Sequence, residues 1–299
     1  MKATSNAKSD SDPGPSDGSS DSQDEAVLRE WRESAGYWQK HADTIRTMFG
    51  PITQALIENA QIGEGEVVLD VAGGAGEPSL TIAEAVGPAG SVTYTDAAPE
   101  MVAAAESQAR LRGITNIAFK QGAADALPFA DRSFDTVVCR LGAMFFPDPA
   151  AALREMLRVT RGEGVIALAV WGKAELNPFF YLITDVVARY VEAASADPNA
   201  PGAFRFAEAG SLSRVLAAAG AVQVKERLLE FEIAAPISLK KFWELRAETS
   251  GTLREKLATL SPPQVNRLAQ EVQESLREYF SNDQMSIPAQ VIVVTGQKP

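Results

Sequence analysis

Three aspartates in the first half of this chain have the type and spacing for ligand chemistry. Asp70 lies near the end of the apolar run VVLDVA, Asp96 ends SVTYTD, and Asp125 sits in GAADALPF. A carboxylate accepts two hydrogen bonds side by side, so it suits a pair of hydroxyls or an amino group on a ligand. Directly behind Asp70, the stretch VVLDVAGGAGEPSL supplies Gly73, Gly74 and Gly76. Glycine lets a backbone turn sharply and lets a ligand approach it closely. His41 is the only histidine and Cys139 the only cysteine. No disulfide can form within the chain, and any metal or catalytic scheme that needs two histidines is excluded. A Ser-His-Asp hydrolase would have to use His41, and no G-x-S-x-G elbow accompanies it.

The elements that must hold these residues alternate. EVVLDVA reads as a buried strand, unbroken and β-branched. PSLTIAEAVGP reads as a helix opened by Pro78 and closed by Gly87. SVTYTD is a second strand, followed by the helix PEMVAAAESQARLRG with Pro99 in its first turn. NIAFKQG and FDTVVCRL are strands, DPAAALREMLRVTRG is a helix capped by Asp148, and GVIALAVWG is a fifth strand. This rhythm predicts an α/β fold with a doubly wound, mostly parallel sheet of seven strands, Rossmann-like. In such sheets the ligand lies at the carboxyl ends of the strands, near the switch in strand order.

Ahead of the sheet, residues 25–60 have a helical pattern, with Trp31, Trp38, His41 and Ile45 recurring on one stripe and Pro51 expected to break it. They are expected to form a helical cap. Residues 1–24 are rich in Ser, Asp, Gly and Pro and are expected to be disordered. Residues 61–299 form the ligand-binding domain, with helical lid segments at about 174–200 and 238–282 before the last strand, PAQVIVVTGQ.

The net charge of -11 argues against nucleic acid as a partner, because a phosphate backbone needs a basic surface. No apolar run reaches the roughly 18 residues that a membrane span requires. The N-terminus has no apolar core of a secretory signal, and the expected location is cytoplasmic. A monomer and a homodimer are equally compatible with the sequence.

Asp96 stands 20 residues past Gly76, where an acid suits a ribose diol. Nicotinamide dinucleotides share that feature, but their turn is G-x-G-x-x-G, and Ser79 occupies the place of the third glycine. Asp70, four residues before Gly74, would also crowd an anionic phosphate. A ligand carrying a sulfonium and an ammonium group meets no such objection, and S-adenosylmethionine is that ligand. Its adenine amino group could donate to Asp125.

VVLDVAGGAGEPSL, VTYTDAAPEM, GAADALPFADRSFDTVVCRLGAMFF and AALREMLRVTRGEGVIAL together resemble the class I S-adenosylmethionine-dependent methyltransferases. Within them the likeness is to the branch of the ubiquinone/menaquinone-biosynthesis C-methyltransferases, and it is good from about Val67 to Trp171. The resemblance implies S-adenosylmethionine as cofactor and a role for each matching position. The turn of Ala72, Gly73, Gly74 and Gly76 would pass under the methionine part. Asp70 would hold its amino end, Asp96 with Ala97 the ribose, and Ala124 and Asp125 the adenine edge. Met101 would pack on the adenine, and Arg140 would lie near the reacting centre. Ala72 departs from the glycine usual in the family, and its methyl is expected to demand a negative φ or a shifted turn.

Methyl transfer needs alignment and water exclusion more than acid–base groups. If a base is needed, His41 is the candidate by elimination, one helical turn from Tyr37. Tyr37, Trp38, Phe145 and Phe146 are candidate contacts for a small, largely apolar acceptor of quinol, phenol, terpenoid or polyketide type. Two other readings remain open: a nicotinamide-dependent oxidoreductase, and a non-catalytic S-adenosylmethionine-binding partner protein.

Overall fold

The computed structural model describes residues 18–192 and 200–299, with side chains from residue 25 onward. The strands are β1 (Val67–Val71), β2 (Ser91–Asp96), β3 (Ile117–Gln121), β4 (Phe134–Arg140), β5 (Thr160–Trp171), β6 (Val222–Ala235), β7 (Phe280–Ser281) and β8 (Gln284–Gln297). They form one sheet in the order β3-β2-β1-β4-β5-β8-β6, with the two-residue β7 pairing only with β8. β1 to β5 run parallel, and β8 is antiparallel to both β5 and β6. The expected seven-stranded doubly wound sheet is therefore present, with β7 as an added stub. β1 lies between β2 and β4, so the order reverses there and the carboxyl ends of these three strands open together.

The parallel crossovers are helical. They are α3 (Ser79–Val86), α4 (Pro99–Arg112) and α5 (Pro149–Val159). Local signals set their ends. Gly87 and Gly113 close α3 and α4 at φ of 65° and 67°, and the Asp148 side chain accepts from the Ala151 amide at 2.9 Å. Val68, Leu69, Val137, Val138, Ile166 and Leu168 are fully buried at the centre of the sheet. Such continuous apolar strands are what a sheet covered on both faces requires.

The N-terminal region departs from expectation twice. Helix α1 spans Gly18–Lys40, so it begins inside the segment expected to be disordered to residue 24; residues 1–17 lie outside the described residues. The break then falls at His41 and not at Pro51, which lies inside α2 (Ala42–Ala60). Pro51 removes one backbone hydrogen bond. Burial of Met48, Phe49, Ile52 and Leu56 on either side holds the helix through it. α2 packs on the sheet as part of the main core, and only α1 lies over the strand ends, against α4.

Late in the chain come α6 (Pro178–Val187), α7 (Ser211–Ala218), α8 (Leu239–Thr249), α9 (Gly251–Ala258) and α10 (Pro262–Leu276). The first expected lid segment is thus partly α6, and its residues 193–199 lie outside the described residues.

Candidate functional site

The glycine turn is held from below by β2. Tyr94 pairs with Asp70 across the strands, is fully buried, and its hydroxyl donates to the Gly74 carbonyl at 2.6 Å. A Cβ on Gly73 would meet the Tyr94 ring at 2.5 Å, so only glycine fits there. Gly76 is close-packed as well, with Leu80 at 3.0 Å and the α4 backbone at Ala105 at 3.5 Å from a Cβ. Gly74 differs. Its φ is 56° and a Cβ would meet nothing within 4 Å. The open side of the turn is therefore at Gly74.

Ala72 overturns the expectation of a negative φ. It sits at φ 58°, in the left-handed region. Its methyl points to Gly142, where an added Cβ would lie 2.8 Å from it, so the absence of a side chain at Gly142 makes the room. The backbone cost is about 1–2 kcal/mol.

Both carboxylates that flank the turn are engaged with the chain. Asp96 accepts from the Gly74 amide at 3.0 Å and from the Ala98 amide at 2.9 Å. Burial raises its pKa in spite of these bonds. Asp70 is fully buried, and its Oδ2 accepts from the Ser79 amide at 3.1 Å and the Ser79 hydroxyl at 2.5 Å. Its Oδ1 has no hydrogen-bond partner among the described residues. Burial pushes its pKa up to about 7, against the Ser79 bonds and the charge of Arg140. Ser79 thus anchors the acid from the first residue of α3. Asp125 is exposed in a turn after β3, beside the part-buried Ala124, and makes no hydrogen bond to the described residues.

Arg140 ends β4, and its guanidinium donates to Thr53 Oγ1 at 2.8 Å and to the Glu77 carbonyl at 3.0 Å. It ties α2 to the glycine loop. Met101 is buried with Ala35 and Ala98 under Leu28, Trp31 and Trp38 of α1, so in this structure α1 covers it.

α1, α2, α6, α8, α9 and the segment after β4 line a half-open cavity of about 390 Å³, and no residue of the glycine turn is among its walls. Trp31, Trp38, Phe145, Phe180 and Phe204 are among its walls. Trp31 meets Phe145 edge-on at 5.1 Å, and the Trp38 indole donates to the Thr249 carbonyl at 3.1 Å. Of the expected acceptor contacts, Trp38 and Phe145 line the cavity and Tyr37 and Phe146 do not. Tyr37 is on the outer face of α1 under the Arg254 guanidinium, 5.1 Å from its ring. Phe146 turns into the core. His41 does not line the cavity either, because the helix break turns it to the seam with α8. There its Nε2 lies 2.6 Å from Glu248 Oε2, and Lys40 joins the same carboxylate at 2.7 Å.

Comparison with known proteins identifies the family. A model described as "Methyltransferase domain" matches residues 62–197. An uncharacterized protein of Mycobacterium tuberculosis is 37% identical over 52% of this chain and 53% of its own, so the chain spans about half the length of that relative. A demethylmenaquinone methyltransferase of Geobacillus stearothermophilus is 30% identical over 60% of this chain and 81% of its own. The chain belongs to the S-adenosylmethionine-dependent methyltransferases. The solved structure of YcgJ from Bacillus subtilis shares the fold, with a TM-score of 0.51 at 22% identity over 82% of this chain and 97% of that one.

The methyltransferase cofactor suits this turn on two observations. Asp70 Oδ1 is a buried acceptor with no donor, and the space over Gly74 is open. The methyltransferase sequence also hid three residues. Tyr94 is two residues from Asp96, hence on the same face of β2, and that period was the available signal. Ser79 was visible only as a missing glycine. Arg246 lines the cavity and falls at helical spacing from the buried Phe242 and Trp243. Among the described residues no cluster of His, Cys, Asp or Glu could hold a metal, and no helix is long and apolar enough to cross a membrane.

Proposed function

We propose that this chain transfers a methyl group from S-adenosylmethionine to a small, largely apolar acceptor of quinol, phenol, terpenoid or polyketide type, at carbon or oxygen. When bound, the cofactor supplies a methyl carbon activated by its sulfonium. Asp70 would hold the amino end through Oδ1, while Ser79 keeps the carboxylate in place. Asp96 would take the ribose, with Ala97 beside it. Ala124 and Asp125 would meet the adenine edge, and Arg140 braces the loop from behind. The open side at Gly74 carries this reading, since it is the place where a ligand can lie against the turn.

The aromatic cavity beside Phe145 supports an apolar acceptor. The chain's part is to align that acceptor and exclude water, with α1 and the late helices acting as lid; alignment is worth about 7–11 kcal/mol in well-oriented systems. His41 is outside the cavity, which favours a reaction without a histidine base. The net charge of -11 supports a small-molecule acceptor over nucleic acid.

Calorimetry tests this reading. S-adenosylmethionine should bind and NAD should not. NAD binding alone would favour the oxidoreductase. S-adenosylhomocysteine should form in a screen of quinols, phenols and catechols. Cofactor binding with no turnover on any of them would favour the non-catalytic partner protein.

A further inference from the structure

Arg246 is a cation without an anion among the described residues. It projects from α8 into the wall of the aromatic cavity. Its Cζ lies 4.2 Å from the Phe179 ring centroid and 5.0 Å from that of Phe180. Its Nε is shut off from solvent and has no hydrogen-bond partner among the described residues. No carboxylate among them forms an ion pair with it. The other charged groups lining the cavity are Glu30 and Lys256. Glu30 is taken by α9, where it accepts from the Thr252 amide at 3.2 Å. Burial alone pushes the Arg246 pKa down, to about 10, with no neighbouring charge to oppose it.

Two rings do not satisfy this group. A cation–π contact uses the face of the guanidinium, whereas its five N–H donors lie in the plane and need acceptors. A part-desolvated charge of this kind, with its Nε shut off from solvent, is costly unless something pairs with it. Methionine or leucine would fill the same space at no such cost. Apart from Glu30, Lys256 and a few hydroxyl side chains, the rest of the lining is apolar.

We infer that the acceptor carries an oxyanion on an apolar, ring-sized body, and that Arg246 pairs with that oxyanion inside the aromatic cavity. This rests on the cavity being the acceptor site. The oxyanion has two possible sources. It is either a carboxylate that anchors the acceptor, or the ionised oxygen of a phenol or enol that itself attacks. The second source would remove the need for a base, because the guanidinium favours the ionised form.

The test uses the full chain with S-adenosylhomocysteine present, titrated calorimetrically with 2-naphthoate and with its neutral match, 2-naphthamide. Wild type should bind the naphthoate about tenfold tighter or more, as a charge-assisted hydrogen bond implies. Arg246→Met should lose that preference and keep its affinity for the amide, with an unchanged or raised melting temperature. Equal binding of the two ligands by wild type would overturn the inference and leave the cavity as acceptor site. Binding of S-adenosylhomocysteine but of neither naphthalene would overturn the acceptor site and the inference with it. A variant that loses both ligands alike would make Arg246 a packing residue and overturn the inference. 2-Naphthol separates the two sources. A naphtholate absorption band at neutral pH marks the attacking oxygen, and binding without that band, beside tight naphthoate, marks the carboxylate anchor.

Discussion

The two sides of the site are built on opposite terms. At the glycine turn the chain satisfies its own polar groups except Asp70 Oδ1, which has no partner among the described residues. Asp96 takes two backbone amides, Asp70 takes both donors of Ser79, and the Tyr94 hydroxyl holds the Gly74 carbonyl. In the aromatic cavity the part-buried cation Arg246 is given no acceptor among the described residues. The first side is hydrogen-bonded in place by the chain itself, as suits a surface for the constant cofactor proposed there. The second leaves its electrostatics to be completed by what enters. Preorganisation lowers the cost of binding, and an unpaired charge selects among binders.

The largest expected effect on this contrast is at Asp96. Asp96→Ala removes the acceptor proposed for the ribose and also releases the Gly74 and Ala98 amides. S-adenosylmethionine affinity should fall by about 1.5–3 kcal/mol, or roughly 10–160-fold, by calorimetry. Asp96→Asn keeps an acceptor oxygen and should fall between. Unchanged affinity in both variants would detach Asp96 from the cofactor.

Asp70 gives a pH effect on stability. Its folded pKa of about 7 lies above the ordinary aspartate value of about 4, so the native state holds its proton more tightly than the unfolded chain. The stabilisation is complete below about pH 4 and is lost as pH rises through about 7, with a slope near -1.4 kcal/mol per unit. Urea unfolding across that window should show this slope in wild type relative to Asp70→Asn. Parallel pH profiles for the two proteins would mean that Asp70 is not the titrating group.

The smallest effect is at Ala72. Ala72→Gly relieves a left-handed alanine at about 1–2 kcal/mol and adds about 0.4–1 kcal/mol of unfolded-state entropy. A net gain of up to about 1 kcal/mol is expected, with cofactor affinity kept. A clear loss of stability would show that the methyl seated over Gly142 matters more than its backbone strain.

The nucleotide side was legible in the sequence because its constraints are local. Strand, acid, glycine turn and helix cap follow one another from Val67 to Val86, and the same grammar recurs to Asp96 and Pro99. The sign of φ at Ala72 was not legible, because the room for its methyl comes from Gly142, which is 70 positions away. The cavity was half legible. Trp38 and Phe145 were expected on composition, but Tyr37 and Phe146 turn away through helix phase and loop path. The place of His41 at the seam with α8 was not legible, because the chain breaks at it and not at Pro51. Arg246 reads as an ordinary surface charge in LKKFWELRAET until its spacing from Phe242 and Trp243 is counted.

The central claim, that the cofactor lies against the open side of the glycine turn, is tested most directly by calorimetric titration of S-adenosylhomocysteine into Gly74→Val beside Gly113→Val. Both glycines have positive φ, at 56° and 67°, and a Cβ at either meets nothing within 4 Å of the chain. The two variants therefore share the backbone strain, and only Gly74 borders the site. Binding should vanish in Gly74→Val and persist in Gly113→Val, with both proteins still folded by circular dichroism. Equal, wild-type-like binding in the two would contradict the account.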